Sequence, residues 1–136
     1  MSSAHFWSIL ALFTFGLWGF FPKLATNYIS PSSALVYEAI AGCLVGLAAF
    51  VSLGFRPEVS GPGVLYAGLA GATGLLGGLF YLIAASKGKI SVVVTVTALY
   101  PVITILLAAL FLKEPITIKQ AAGMLMAVGA IYLLSS

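Results

Sequence analysis

Residues 100–123 read YPVITILLAALFLKEPITIKQAAG, a stretch that contains a helix broken at mid-membrane, a tight charged corner and the cap of a further helix. Pro101 lies inside an apolar run from Ile90 to Leu112. It removes one backbone donor and leaves the Thr97 carbonyl without its usual partner. In lipid, a carbonyl freed in this way requires another donor. Thr97, Tyr100 and Thr104 recur at i, i+3 and i+7, which puts their hydroxyls on the face that carries that carbonyl. The spacing predicts a polar stripe at the bilayer midplane and a helix kinked by Pro101. After Leu112 come Lys113, Glu114 and Pro115, then Thr117 with Gln120 three positions later, a capping-box pattern that opens another apolar run. Glu114, Thr117 and Gln120 therefore read as a structural corner between two helices.

Of the 136 residues, 62% are hydrophobic and 7% charged, and the mean hydropathy is +1.17. Such values lie far outside the range of soluble domains and identify an all-α integral membrane protein. Three acids (Glu38, Glu58 and Glu114), one histidine (His5) and one cysteine (Cys43) leave little material for acid–base dyads, metal sites or a disulfide framework. An enzyme is not expected, nor is a metal or organic cofactor. The net charge of +3 comes from Lys and Arg spread singly along the chain, without the basic runs that a nucleic-acid partner calls for. The start MSSAH has no basic n-region, and no small-residue cleavage site follows, so the first apolar segment is expected to be retained as a helix.

Five apolar segments approach the length of about 20 residues that spans a bilayer: 6–28, 34–53, 63–85, 90–112 and 118–134. The connections are too short to hide a soluble domain, so consecutive helices run antiparallel and residues 1–136 read as a single five-helix transmembrane domain. In the first helix, Trp18 is either a pocket wall or an interfacial anchor. Lys23 is either a substrate or lipid-phosphate contact or a snorkelling cation that fixes depth. Ser30 and Pro31 have the pattern of an N-cap and first helical residue. Glu38 is the one acid within any of the five runs. An ionisable group there is costly unless it faces protein, water or a partner, which makes a functional site the default reading. The alternative is a partly hydrated carboxylate bonded to a neighbour such as Tyr37. The third segment is dense in glycine, and Ala70, Gly74 and Gly78 form a small-xxx-small row of the kind that lets helices approach closely. That helix is expected to be central or to lie at a dimer interface. Tyr81 reads as an interface anchor or as part of a pocket.

Together, the Trp18-Gly19 pair with Lys23, the mid-helix Pro101, the apolar run into Glu114 and the spacing of Thr117, Gln120 and Gly123 resemble the EamA-type domain of the drug/metabolite transporter superfamily. The resemblance covers nearly the whole chain, whose length matches the short single-repeat bacterial and archaeal branch. It implies five helices forming one of the two inverted repeats found in longer members. It also implies a secondary transporter, more often an exporter than an importer. Two positions depart from the family pattern: Glu38 stands where an arginine is common early in the second helix, and Lys113 replaces the glycine usual before the glutamate.

These readings combine into an expected multi-pass protein of the prokaryotic inner membrane that moves a small metabolite or drug-like compound by alternating access. Transporter sites gather at irregular helices near the midplane, between repeats. On that basis Thr97, Tyr100 and Thr104 supply hydroxyls, Trp18 and Tyr81 aromatic walls, and Glu38 a charge able to couple protons to substrate. A single repeat requires a second copy, so a homodimer is expected. Lys and Arg balance three to three between the two sides, which permits insertion in both orientations and hence an antiparallel pair. The alternative is an accessory membrane subunit without transport activity, in which Glu38 and the hydroxyl stripe tolerate substitution.

Overall fold

A computed structural model describes residues 3–135, and every regular element in them is helical. The helices are α1 (Ser3–Thr26), α2 (Pro31–Ser52), α3 (Gly61–Lys87), α4 (Ile90–Thr97), α5 (Tyr100–Leu107) and α6 (Ile118–Ser135), with a π-helical turn at Ala108–Leu112 between the last two. Among the described residues, four spans are long and apolar enough to cross a membrane: Ser3–Thr26, Pro31–Ser52, Gly61–Lys87 and Ile90–Leu112. The α6 helix has 18 residues and rises about 27 Å, close to the thickness of a hydrocarbon core. Its apolar part is Ile118–Leu134. Large apolar side chains such as Leu12, Phe13, Tyr66 and Phe111 are exposed. Helices apolar on all faces with so little covered require lipid as solvent. The fold is that of an all-helical, five-helix membrane protein.

The chain divides into two compact units, Met1–Lys87 and Gly88–Ser136. In the first, α3 packs against both α1 and α2, which makes it the central helix there. Where α1 and α3 cross, Gly19 and Pro22 are buried against a row formed by Gly78, Tyr81, Leu82 and Ala85. The small residues bring the backbones together in the manner that association in lipid demands. The Tyr81 hydroxyl donates to the Gly19 carbonyl at 2.6 Å, and the Lys23 ammonium donates to the Ala85 carbonyl at 2.8 Å. The second bond serves the C-terminal end of α3, whose last carbonyls have no intrahelical donor and which favours a cation. Of the glycine row, Gly78 alone meets other side chains; a Cβ at Gly68, Gly71, Gly74 or Gly77 meets nothing within 4 Å. The α2 helix begins at Pro31, as the Ser30–Pro31 pattern predicts and three residues ahead of the apolar run at 34–53. The Ser30 hydroxyl accepts from the Ser33 amide at 3.2 Å, with proline at the first helical position.

In the second unit α4 packs against α6. The Ile90–Leu112 run is interrupted at Ala98 and Leu99, and Pro101 occupies the first turn of α5. The interruption lies N-terminal to the proline because the ring clashes with the carbonyl four residues earlier, while a proline in a first turn costs nothing. The α5 helix then widens into the π-turn and ends at Lys113, which adopts a left-handed conformation with φ 56° and ψ 31°. Glycine reaches that region without strain, whereas a lysine held there costs about 1 kcal/mol or more. The corner is closed by a reciprocal cap: the Gln120 amide donates to Thr117 Oγ1 at 3.2 Å, and the Thr117 amide donates to Gln120 Oε1 at 2.8 Å.

The helix break makes a testable demand. Pro101→Ala restores the missing donor and is expected to join α4 to α5 as a straighter helix, lowering transport by more than it lowers expression. Hydrogen exchange at the amides of residues 97–101 together with vesicle transport checks this, and unchanged exchange with unchanged transport would contradict it.

Candidate functional site

The three helices of the first unit bring Trp18, Glu38 and Tyr81 into one neighbourhood. Trp18 comes from α1, Glu38 from the second turn of α2, and Tyr81 from the last third of α3. The Trp18 and Tyr81 rings lie 5.1 Å apart between centroids with an interplanar angle of 34°, within the range of favourable aromatic pairing. Gly78 sits at the meeting point. A Cβ built on it would stand 3.6 Å from Glu38 Oε2 and 3.9 Å from Trp18 Cζ2, so the carboxylate and the indole both approach the bare backbone of α3. Trp18 is 41% exposed and Glu38 is half-buried. Both line a cleft of about 440 Å³ whose remaining walls are Ala41, Gly42, Val45, Gly74 and Leu75.

Tyr81 itself is 5% exposed. Its hydroxyl is committed to the Gly19 carbonyl, so what it contributes beside the cleft is its ring, as support for Trp18. Tyr81→Phe removes this inter-helix bond to the Gly19 carbonyl and is expected to cost about 1 kcal/mol of stability with substrate affinity kept. Unfolding in detergent read alongside binding tests this. A stable variant with lost affinity would show instead that the hydroxyl reaches substrate.

Thr97, Tyr100 and Thr104 belong to the second unit and are exposed. The Thr97 hydroxyl donates to the carbonyls of Val93 at 2.9 Å and Val94 at 3.0 Å, and the Thr104 hydroxyl donates to the Tyr100 carbonyl at 3.2 Å. Such back-bonding satisfies a hydroxyl on its own helix in an apolar solvent and tends to bend the helix. Thr104, Glu114 and Gln120 line a smaller cleft of about 210 Å³ with Ile105, Ala108, Pro115 and Ile116. Two features of the site region were not assigned from sequence: Gly78 as the point where Glu38 and Trp18 meet, and the bond from Lys23 to α3. The signal for the first was the glycine row and for the second a cation in the last turn of α1. Among the described residues, no group of three or more His, Cys, Asp or Glu stands close enough to hold a metal ion.

An uncharacterized protein of the archaeon Methanocaldococcus jannaschii is 29% identical over 138 residues, an alignment that covers 99% of this chain and 98% of that protein. It is thus similar in length as well as sequence. No solved structure matches. The sequence pattern of the EamA-like transporter family matches residues 2–136, a span that includes the Trp18–Glu38–Tyr81 cluster, the broken helix and the capped corner. The chain belongs to the EamA-like transporter family.

Proposed function

We propose that the protein is a secondary transporter that exports a small metabolite or drug-like compound across the inner membrane, with the cleft beside Glu38 as its site. The observation that carries this reading is the convergence of Trp18 and Glu38 on Gly78 within a chain of the EamA-like transporter family. A carboxylate kept in an apolar membrane helix is costly and is retained where it handles ions or substrate. The cleft volume of about 440 Å³ falls in the range that encloses small organic ligands. Glu38 exchanges a proton during the cycle, so that binding of substrate and of proton alternate at one group. The working unit is a homodimer, because a transporter of this kind places its site between two repeats and the chain carries one. Two oppositely oriented copies supply the inverted pair.

Uptake and efflux of a substrate panel in inside-out and right-side-out vesicles test the reading. Saturable movement of at least one compound, faster in the export direction and no longer driven by a pH gradient in Glu38→Gln, is expected. Vesicles with the protein inserted that match empty ones across the panel would favour an accessory subunit.

A further inference from the structure

Resting on the transport reading, we propose that the cleft takes a small lipophilic monocation, such as an aromatic or alkylated ammonium, with Glu38 as its counter-ion and the indole of Trp18 as its wall. Glu38 is the one ionisable side chain lining the cleft, and Ala41, Val45 and Leu75 give it apolar surface. A neutral ligand would cover the carboxylate without compensating it, and an anion would be repelled by it. A cation resolves the cost of holding a charge in an apolar wall, provided the two groups pair closely.

The aromatic side points the same way. An indole face attracts alkylammonium groups more strongly than any other side-chain ring does, and more so where water is excluded. Trp18 Cζ2 and Glu38 Oε2 both approach the Cβ position of the buried Gly78, and both side chains line the cleft, so a ligand in it meets both at once. The adjacent polar groups have other partners: the Tyr81 hydroxyl bonds the Gly19 carbonyl and the Lys23 ammonium bonds the Ala85 carbonyl. Neither lines the cleft. Tyr81 holds the indole by ring contact at 5.1 Å, which orients the wall before any ligand arrives.

The test uses the full chain with Trp7→Phe, in nanodiscs of zwitterionic lipid, so that Trp18 is the one indole. Phenyltrimethylammonium, its neutral isostere tert-butylbenzene and the anion benzenesulfonate are titrated against Trp18 fluorescence. The cation is expected to bind saturably and about tenfold or more tighter than either of the others. Glu38→Gln should lose that margin, and Glu38→Asp should keep part of it. Equal binding of the three probes by the unsubstituted site overturns the proposal without recourse to a variant, as does equal cation binding by a folded Glu38→Gln. Counterflow in proteoliposomes separates this result from the transport reading. Cation binding without movement keeps the ligand class and rejects transport. Glu38-dependent movement of an uncharged or anionic solute, with no cation binding, keeps transport and rejects the ligand class.

Discussion

Glu38→Gln is expected to abolish accumulation driven by a pH gradient while leaving the protein folded and inserted. The effect is expected to be large because of what a proton gradient supplies. One pH unit across the membrane is worth about 1.4 kcal/mol per proton, which supports about a tenfold concentration ratio for each proton exchanged. If Glu38 is the exchanging group, its isosteric amide can neither take nor release a proton, and the ratio falls to one whatever the gradient. Downhill movement is expected to lose its pH dependence as well. Glutamine retains the volume beside Gly78, where Oε2 stands 3.6 Å from the position a Cβ would occupy, so packing between α2 and α3 is preserved. Accumulation ratios measured across imposed gradients, with insertion verified by protease accessibility, provide the check. An unchanged pH profile in the variant would remove Glu38 from the coupling role.

The second large effect concerns orientation. If the five helices alternate across the membrane, Arg56, Lys113 and Lys119 are expected on one side and Lys23, Lys87 and Lys89 on the other, and the rule that places basic residues in the cytoplasm then has almost nothing to act on. Reporters active only in the cytoplasm or only outside it, fused in turn after Ser136, are expected to give comparable signals. Ser136 itself lies outside the described residues. Adding two lysines near either terminus should shift the ratio severalfold, because each added pair is large against a balance of three to three. Signal from one reporter alone, in a protein that transports without a partner, would exclude the antiparallel dimer.

The helical fold was legible because lipid imposes a length and a composition on every span. Hydropathy alone placed the apolar runs, and local chemistry placed two of their ends. The Ser30 and Pro31 start, and the reciprocal bonds of Thr117 and Gln120, are short-range patterns in which the residues that bond are three positions apart. Longer-range features were less visible. That α3 is central in its unit was one of the two readings its glycines allowed, a dimer interface being the other, and which glycine would be covered was not legible: Gly78 meets Glu38 and Trp18 while its row-mate Gly74 has open space around its Cβ position. A small-residue row shows that close approach is possible and carries no information on how far along the helices the crossing falls. The bond from Lys23 to Ala85 spans 62 positions and depends on that crossing, so a cation near a helix end left its partner open. The π-turn at Ala108–Leu112 has no signature in a run of Ala, Leu and Phe. At the cleft, Glu38 stood out because charge in an apolar run is expensive. The indole and tyrosine beside it became a cluster only once α1 and α3 were packed.

The most direct measurement of the central claim is transport by the purified chain alone. Reconstituted into proteoliposomes with no other protein, it is expected to drive accumulation of at least one small compound against its gradient when a pH difference is imposed. The ratio should rise with the difference and fall to one in Glu38→Gln. Liposomes that hold folded, inserted protein yet behave like empty ones toward the whole panel would contradict the claim and leave the chain a membrane subunit of some other assembly.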